Sequence, residues 1–378
     1  MIDRHPCLSS RCLPLLLLLA CGDDGKSDGM GAGGSGGSGV GGIQGGSGGT
    51  GATAGTSGGG SPGTGGSGGG GAGGQLPDGG SSEATAEMGP PSSLPKLTWR
   101  IETGQSGYGL GGTGENDVWS VSEAGVSYHS QGDGVWTRRP NDIGLRLTGV
   151  WGTSPDNVYI SVYANVLARW NGTTFERQTT GIPIGAVFGG VFGFGPNDVW
   201  IFDPSLFRSS GDGRWTRDAL QGLDPSANVK DLWGTGPRDL WLLGDDGVVY
   251  RSAGDGKWAK QTTPLMRGWQ IQGIWGSGAN DVYALATSGV VHSRGDGKWT
   301  LEPVSARDGE LLLSIWGSGA TDVYIGTNRG RLLRSAGDGR WTGENLDGDR
   351  PFVGISNIWG TGPRNVYAAT SIGIYHGR

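Results

Sequence analysis

Beyond residue 21 the chain contains no cysteine. Its three, Cys7, Cys12 and Cys21, all stand in the opening segment. The rest of the protein therefore holds no disulfide, no thiolate metal site and no cysteine nucleophile. Histidine is almost as scarce, with only His5, His129, His292 and His376. There is no basic stripe, and the formal net charge is −6. Nucleic-acid binding leaves a positive footprint, so no nucleic acid is expected as a partner. No P-loop, dinucleotide fingerprint or EF-hand loop occurs, and no cofactor is expected. The one clear apolar run, residues 13–20, is eight residues long. A spanning helix needs roughly 20.

Glycine is what the chain has in excess, 81 residues of 378, and it is spread unevenly. Residues 25–80 are mostly Gly, Ser, Thr and Ala. From about Lys96 onward the chain is rich in Trp, Val, Leu and Ile. Only the second regime carries enough apolar surface to offset the entropy of ordering a chain.

The opening reads as an export signal. Arg4, His5 and Arg11 precede the apolar run, and eight apolar residues suit a signal-peptide core. Leu18-Leu19-Ala20-Cys21 then resembles the bacterial lipobox. That resemblance implies removal of residues 1–20 and lipidation of Cys21, with the membrane as partner through the lipid. The position directly after Cys21 is Gly22, not Asp, which by the same resemblance favours the outer membrane of a Gram-negative bacterium. Residues 21–95 form a Gly/Ser-rich tether. About 70 such residues span roughly 45 Å, enough to hold a domain clear of a lipid surface.

The remainder, residues 96–378, is one motif written seven times. Its clearest copy is Ile274-Trp275-Gly276-Ser277-Gly278-Ala279-Asn280-Asp281-Val282-Tyr283. Anchors fall at Gly111, Trp151, Phe192, Trp233, Trp275, Trp316 and Trp359, spaced 40, 41, 41, 42, 41 and 43 residues apart. Each copy reads as four short strands. The first ends at Trp-Gly, the second is Asp-Val-Trp/Tyr, and the third resembles Gly247-Val248-Val249-Tyr250-Arg251-Ser252. A Gly-Asp-Gly turn then reaches a fourth near Lys257-Trp258. Four strands in about 41 residues, repeated, predict a seven-bladed β-propeller. The seventh copy stops at Arg378, before its fourth strand. Lys96-Leu97-Thr98-Trp99-Arg100 matches Lys298-Trp299-Thr300. Residues 96–103 are therefore expected to complete the last blade and close the ring, which removes open sheet edges.

These repeats resemble the Trp-Gly and Asp-box (BNR-like) propeller repeats of bacterial surface proteins. Ser252, Asp255, Gly256 and Trp258 stand where an Asp-box has its Ser/Thr, Asp, Gly and aromatic residue. The same set recurs at Ser130/Asp133/Gly134/Trp136 and three further sites, with spacing somewhat different from the usual box. The resemblance implies a fold and carries no activity with it. The Phe-Arg-Ile-Pro motif of sialidases, which share such propellers, is absent.

Of the 16 tryptophans, all but Trp170 and Trp269 occupy one of three repeat positions, so they read as packing between blades. Trp269 precedes an inner strand and is the tryptophan expected to meet a ligand. His129, His292 and His376 share a repeat position with Arg208, Arg251 and Arg334. They read as hairpin polar groups, whereas a catalytic triad or metal cluster needs histidines outside the periodicity. Asp218, Asp224, Asp308 and Glu310 stand off the pattern, and two of them meeting at the axis would make a glycosidase pair. Three residues before each anchor lie Tyr108, Thr148, Gly189, Lys230, Gln272, Leu313 and Ser356. This position varies from copy to copy. It is either drift in a solvent-exposed loop or the place where an asymmetric site has developed. Tyr108, Lys230, Trp269 and Gln272 are accordingly the candidate ligand contacts. The expected function is a cell-surface or periplasmic, lipid-anchored and non-catalytic binding module for a protein or glycan. A glycoside hydrolase or lyase and an envelope assembly factor are the alternatives.

Overall fold

The computed structural model describes residues 96–378 except 165, 183–187, 203, 266–268, 305, 308 and 347–352. The segments expected as signal peptide and tether, with Cys21 between them, and Asp308 lie outside the described residues. Within them the chain forms seven four-stranded antiparallel sheets. The innermost strands are Gly109–Gly114, Leu147–Ser154, Gly190–Gly195, Val229–Gly236, Ile271–Gly278, Leu312–Gly319 and Ile355–Gly362. They define blades 1 to 7 in that order. Each inner strand contacts the next, and that of blade 7 contacts that of blade 1, so the ring is closed.

Closure uses the two ends of the chain. Trp99–Thr103 pairs with Gly373–Gly377, in the register Trp99↔Gly377 and Arg100↔His376. It forms the outer strand of blade 7, as the divided repeat predicts. In blades 3 and 4 the fourth strand is only two residues long, shorter than the repeats suggest. In blade 4 it is Ala259–Lys260, and Trp258 stands just ahead of it.

Local chemistry explains the turns. Ser252 Oγ accepts the Gly254 N–H and Asp255 Oδ1 accepts the Lys257 N–H. Gly254 and Gly256 both take positive φ, 78° and 76°, which glycine adopts without a steric penalty. The second strands carry the core. Val118, Val158, Val199, Leu240, Val282, Val323 and Val366 are fully buried there, each contributing about 1.5–3 kcal/mol relative to exposure.

The Trp-Gly step has a cross-blade explanation. A Cβ on Gly193 would stand 2.6 Å from the indole of Trp151, one on Gly276 2.6 Å from that of Trp233, and one on Gly360 2.9 Å from that of Trp316. Each tryptophan thus lies over the glycine of the following blade. The same glycines also leave room for a carbonyl of their own blade, Asp198 O, Asp281 O or Asn365 O, no more than 2.5 Å from the Cβ position, so the dipeptide answers to both its own hairpin and the neighbouring seam.

Candidate functional site

In five of the seven blades the variable position before the anchor is a β-bulge. Thr148, Lys230, Gln272, Leu313 and Ser356 are each the extra residue where the register of the inner strand slips against its neighbour. A bulge leaves one residue out of the ladder and re-aims its side chain. Tyr108, Lys230, Gln272 and Leu313 are buried, so the position is not a solvent-exposed loop. The variation sits inside the mouth of the ring.

Around the axis the bulge residues and their successors bond across blades. Thr148 Oγ1 donates to Phe188 O at 2.7 Å, and Ser314 Oγ donates to Ile355 O at 3.0 Å. Asp231 accepts the N–H of Leu232 and that of Ile274 in the next blade, both at 2.9 Å. Asn357 Oδ1 accepts the Leu110 N–H at 3.2 Å, joining blade 7 to blade 1. Below this tier lies an axial cavity of about 310 Å³. Its wall includes Trp151, Phe192, Trp233, Trp275, Trp316 and Trp359, all half-buried, together with Asp231, Gln272 and Asn357. A smaller space of about 70 Å³ lies beside Tyr108, Thr148 and Gly189. The Gln272 side-chain oxygen is buried without a hydrogen-bond partner, a state costing about 1–3 kcal/mol.

The four candidate contacts do not form one group. Gln272 lines the larger axial cavity, and Lys230 is buried at the matching bulge of the adjacent blade. Tyr108 borders the smaller space. Its hydroxyl accepts from Arg146 at 2.5 Å, and the Arg146 guanidinium lies 4.8 Å from its ring. Trp269 sits elsewhere: its ring covers Gly289 and packs on the blade 5 core that includes Trp241 and Ile271. The anchor tryptophans, read from the sequence purely as packing, also wall the axial cavity. Their fixed spacing announced a structural role and concealed the second one.

The histidines belong to a ring-wide device. In every blade the first residue of the second strand bonds a base on the third: Asp117–His129, Asn157–Arg169, Asp198–Arg208, Asp239–Arg251, Asp281–His292, Asp322–Arg334 and Asn365–His376, at 2.6–2.9 Å. The base also lies over the second-strand aromatic ring, as in Arg251 over Trp241 at 4.6 Å and His292 on Tyr283 at 3.7 Å. His292 is 1% exposed and its other nitrogen meets Glu302 at 2.7 Å. Burial opposes its charge, but hydrogen bonds to Asp281 and Glu302 outweigh that and hold its pKa above the ordinary value. For Asp281, burial likewise raises the pKa, and the bonds from His292 and Ser277 bring it below the ordinary value.

The off-pattern acids are engaged one by one. Asp218 Oδ1 accepts the Trp258 indole N–H and the Leu220 N–H. Asp224 Oδ1 caps a turn by accepting from Ser226. Glu310 Oε2 meets Arg331 at 3.0 Å and the Arg307 N–H at 2.9 Å. Burial works against its charge, yet these bonds hold its pKa low. Asp218 is in fact on pattern, three residues after Trp215. Glu102, Glu302 and Glu344 hold the same place after Trp99, Trp299 and Trp341. Each accepts the indole N–H of the next blade: Trp136, Trp341 and Trp99 respectively. Spacing alone could have revealed this latch. Among the described residues no group of three or more His, Cys, Asp or Glu is placed to hold a metal ion.

The chain is thus a seven-bladed β-propeller of four-stranded blades. No family model matches the sequence, and no curated protein matches it. Solved structures do. Virginiamycin B lyase from Staphylococcus aureus is 15% identical, covers 75% of this chain and 98% of its own, and superposes with a TM-score of 0.64. A streptogramin B lyase gives 12%, 75%, 97% and 0.65. YCF48 from Cyanidioschyzon merolae gives 13%, 74%, 98% and 0.60. At such identities the likeness shows the fold alone.

Proposed function

We propose that this protein is a lipid-anchored, non-catalytic binding module that recognises a protein or glycan at the axial mouth of its propeller. The observation that carries this reading is the broken symmetry of the bulges. Seven similar blades carry Tyr108, Thr148, Gly189, Lys230, Gln272, Leu313 and Ser356 at one repeat position, and a repeat scaffold develops a specific site where its copies diverge. A structural neighbour, YCF48, has been solved bound to D1 peptide, which supports a protein ligand. The engagement of Asp218, Asp224 and Glu310 in seams and turns favours binding over hydrolysis. The Ser-Xaa-Gly-Asp-Gly hairpins support kinship with Asp-box repeats.

Lipidation of Cys21 would hold the domain on the membrane, with the outer membrane as its site. A Cys21→Ala chain should then move from the membrane to the soluble fraction. Its retention on the membrane would sink the anchor. For recognition, the full chain carrying a photocrosslinker at Lys230 is compared with one carrying it at Arg177 on an outer strand. Partner or glycan capture confined to the first supports the axial mouth. Equal capture from both refutes it.

A further inference from the structure

Resting on that reading, we infer that the axial cavity takes a neutral carbohydrate, on the order of one or two sugar residues. Its size, about 310 Å³, lies at the small end of ligand pockets, roughly 300–1,000 Å³. Charge narrows the ligand. Asp231 is the one charged residue in the lining, and its carboxylate already receives two backbone N–H groups, from Leu232 and Ile274. With Lys230 buried one residue away, the two opposite charges offset one another, and a carboxylate satisfied in this way leaves neither an anion nor a cation much further to gain.

The groups left over suit hydroxyls. Gln272 is 6% exposed, lines the cavity, and its side-chain oxygen has no partner. That oxygen is itself shut off from solvent, so a sugar hydroxyl supplies the missing donor once the side chain turns into the cavity it lines. Trp233, Trp275 and Trp316 stand in the same wall, half-buried, and no described hydrogen bond uses their indole N–H. Those groups are open to acceptors, which the same hydroxyls also supply. Indole and the C–H surface of a sugar ring are otherwise apolar, so the wall accepts the ring as well as its hydroxyls. A ligand that donates, accepts and carries no charge meets all of these conditions.

The test titrates the full chain with maltose, cellobiose and diacetylchitobiose, following tryptophan fluorescence. Sialyllactose and a heparin disaccharide are the charged comparisons. At least one neutral sugar should bind, and the charged ones should bind more weakly. Gln272→Leu should weaken that sugar about tenfold, one hydrogen bond to a buried partner. It removes an unpaired buried oxygen, so its melting temperature should not fall, and lost binding then cannot be blamed on unfolding. Trp275→Phe, which keeps a ring and removes the N–H, should weaken binding as well. No neutral sugar bound, or binding indifferent to Gln272→Leu, overturns the inference. If sugars fail while crosslinking from Lys230 still captures a protein, the carbohydrate is wrong and the axial mouth stands. If both fail, the reading beneath it falls too.

Discussion

At His292 a single imidazole bridges two carboxylates inside a blade, 2.6 Å from Asp281 and 2.7 Å from Glu302. Its raised pKa is linked to stability. The raised folded value means the charged bridge contributes fully below the unfolded pKa of about 6.5. That contribution is lost as pH rises through the folded value. Asp281 acts in the opposite sense: its lowered pKa contributes above the ordinary carboxylate range and is lost as pH falls through the folded value. His292→Gln should therefore cost about 1–3 kcal/mol. The gap from the parent should be widest near about pH 5 and narrow by about pH 9 in thermal melts. A gap that widens with alkalinity would contradict the charged bridge. Gly276 offers a steric test at the same scale. A methyl there would meet the Asp281 carbonyl oxygen at 2.5 Å and the Trp233 indole at 2.6 Å, so Gly276→Ala should cost about 1–3 kcal/mol by overpacking. Gly278, with open space around its Cβ position, is the control.

The seams between blades differ in one repeated element, the indole latch. Four seams join a fourth-strand acid to the next blade's tryptophan. Between blades 2 and 3 the acid's place is held by Gln178, and the Trp215 indole N–H is buried without a partner. Gln178→Glu should install the latch and stabilise the domain by about 0.5–1.5 kcal/mol. The reverse change, Glu302→Gln, should destabilise it by more, because His292, Arg294 and Trp341 all meet that carboxylate. Chemical denaturation of the two variants checks the order. A neutral or destabilising Gln178→Glu would show that the second seam is built on other contacts.

For the whole molecule the decisive feature is closure across the chain ends. Trp99–Thr103 supplies the outer strand of blade 7, while Trp99 also donates to Glu344 of blade 6 and Glu102 accepts from Trp136 of blade 1. One short strand thus reaches three blades. Deleting residues 96–103 should lower the melting temperature by many degrees and expose the edge of Gly373–Gly377 to association. An unchanged melt and a monomeric elution profile would mean that the ring holds without its N-terminal strand.

By itself the sequence determined the blade count, the strand order and the divided seventh blade. Regular spacing is a one-dimensional property, and each repeat buries its faces only against its neighbours. It also marked the position before each anchor as the one free to vary. Other relations exist only in the closed ring. That the variable residue is a bulge inside the mouth depends on register against the second strand. That Trp151 and its equivalents serve both a neighbour's glycine and a cavity wall depends on seven inner strands meeting at an axis. Trp269 illustrates the converse: beside an inner strand in the chain, it folds outward onto Gly289. Sequence neighbours share a blade, and only the curvature that brings blade 7 to blade 1 decides which of their side chains face the axis.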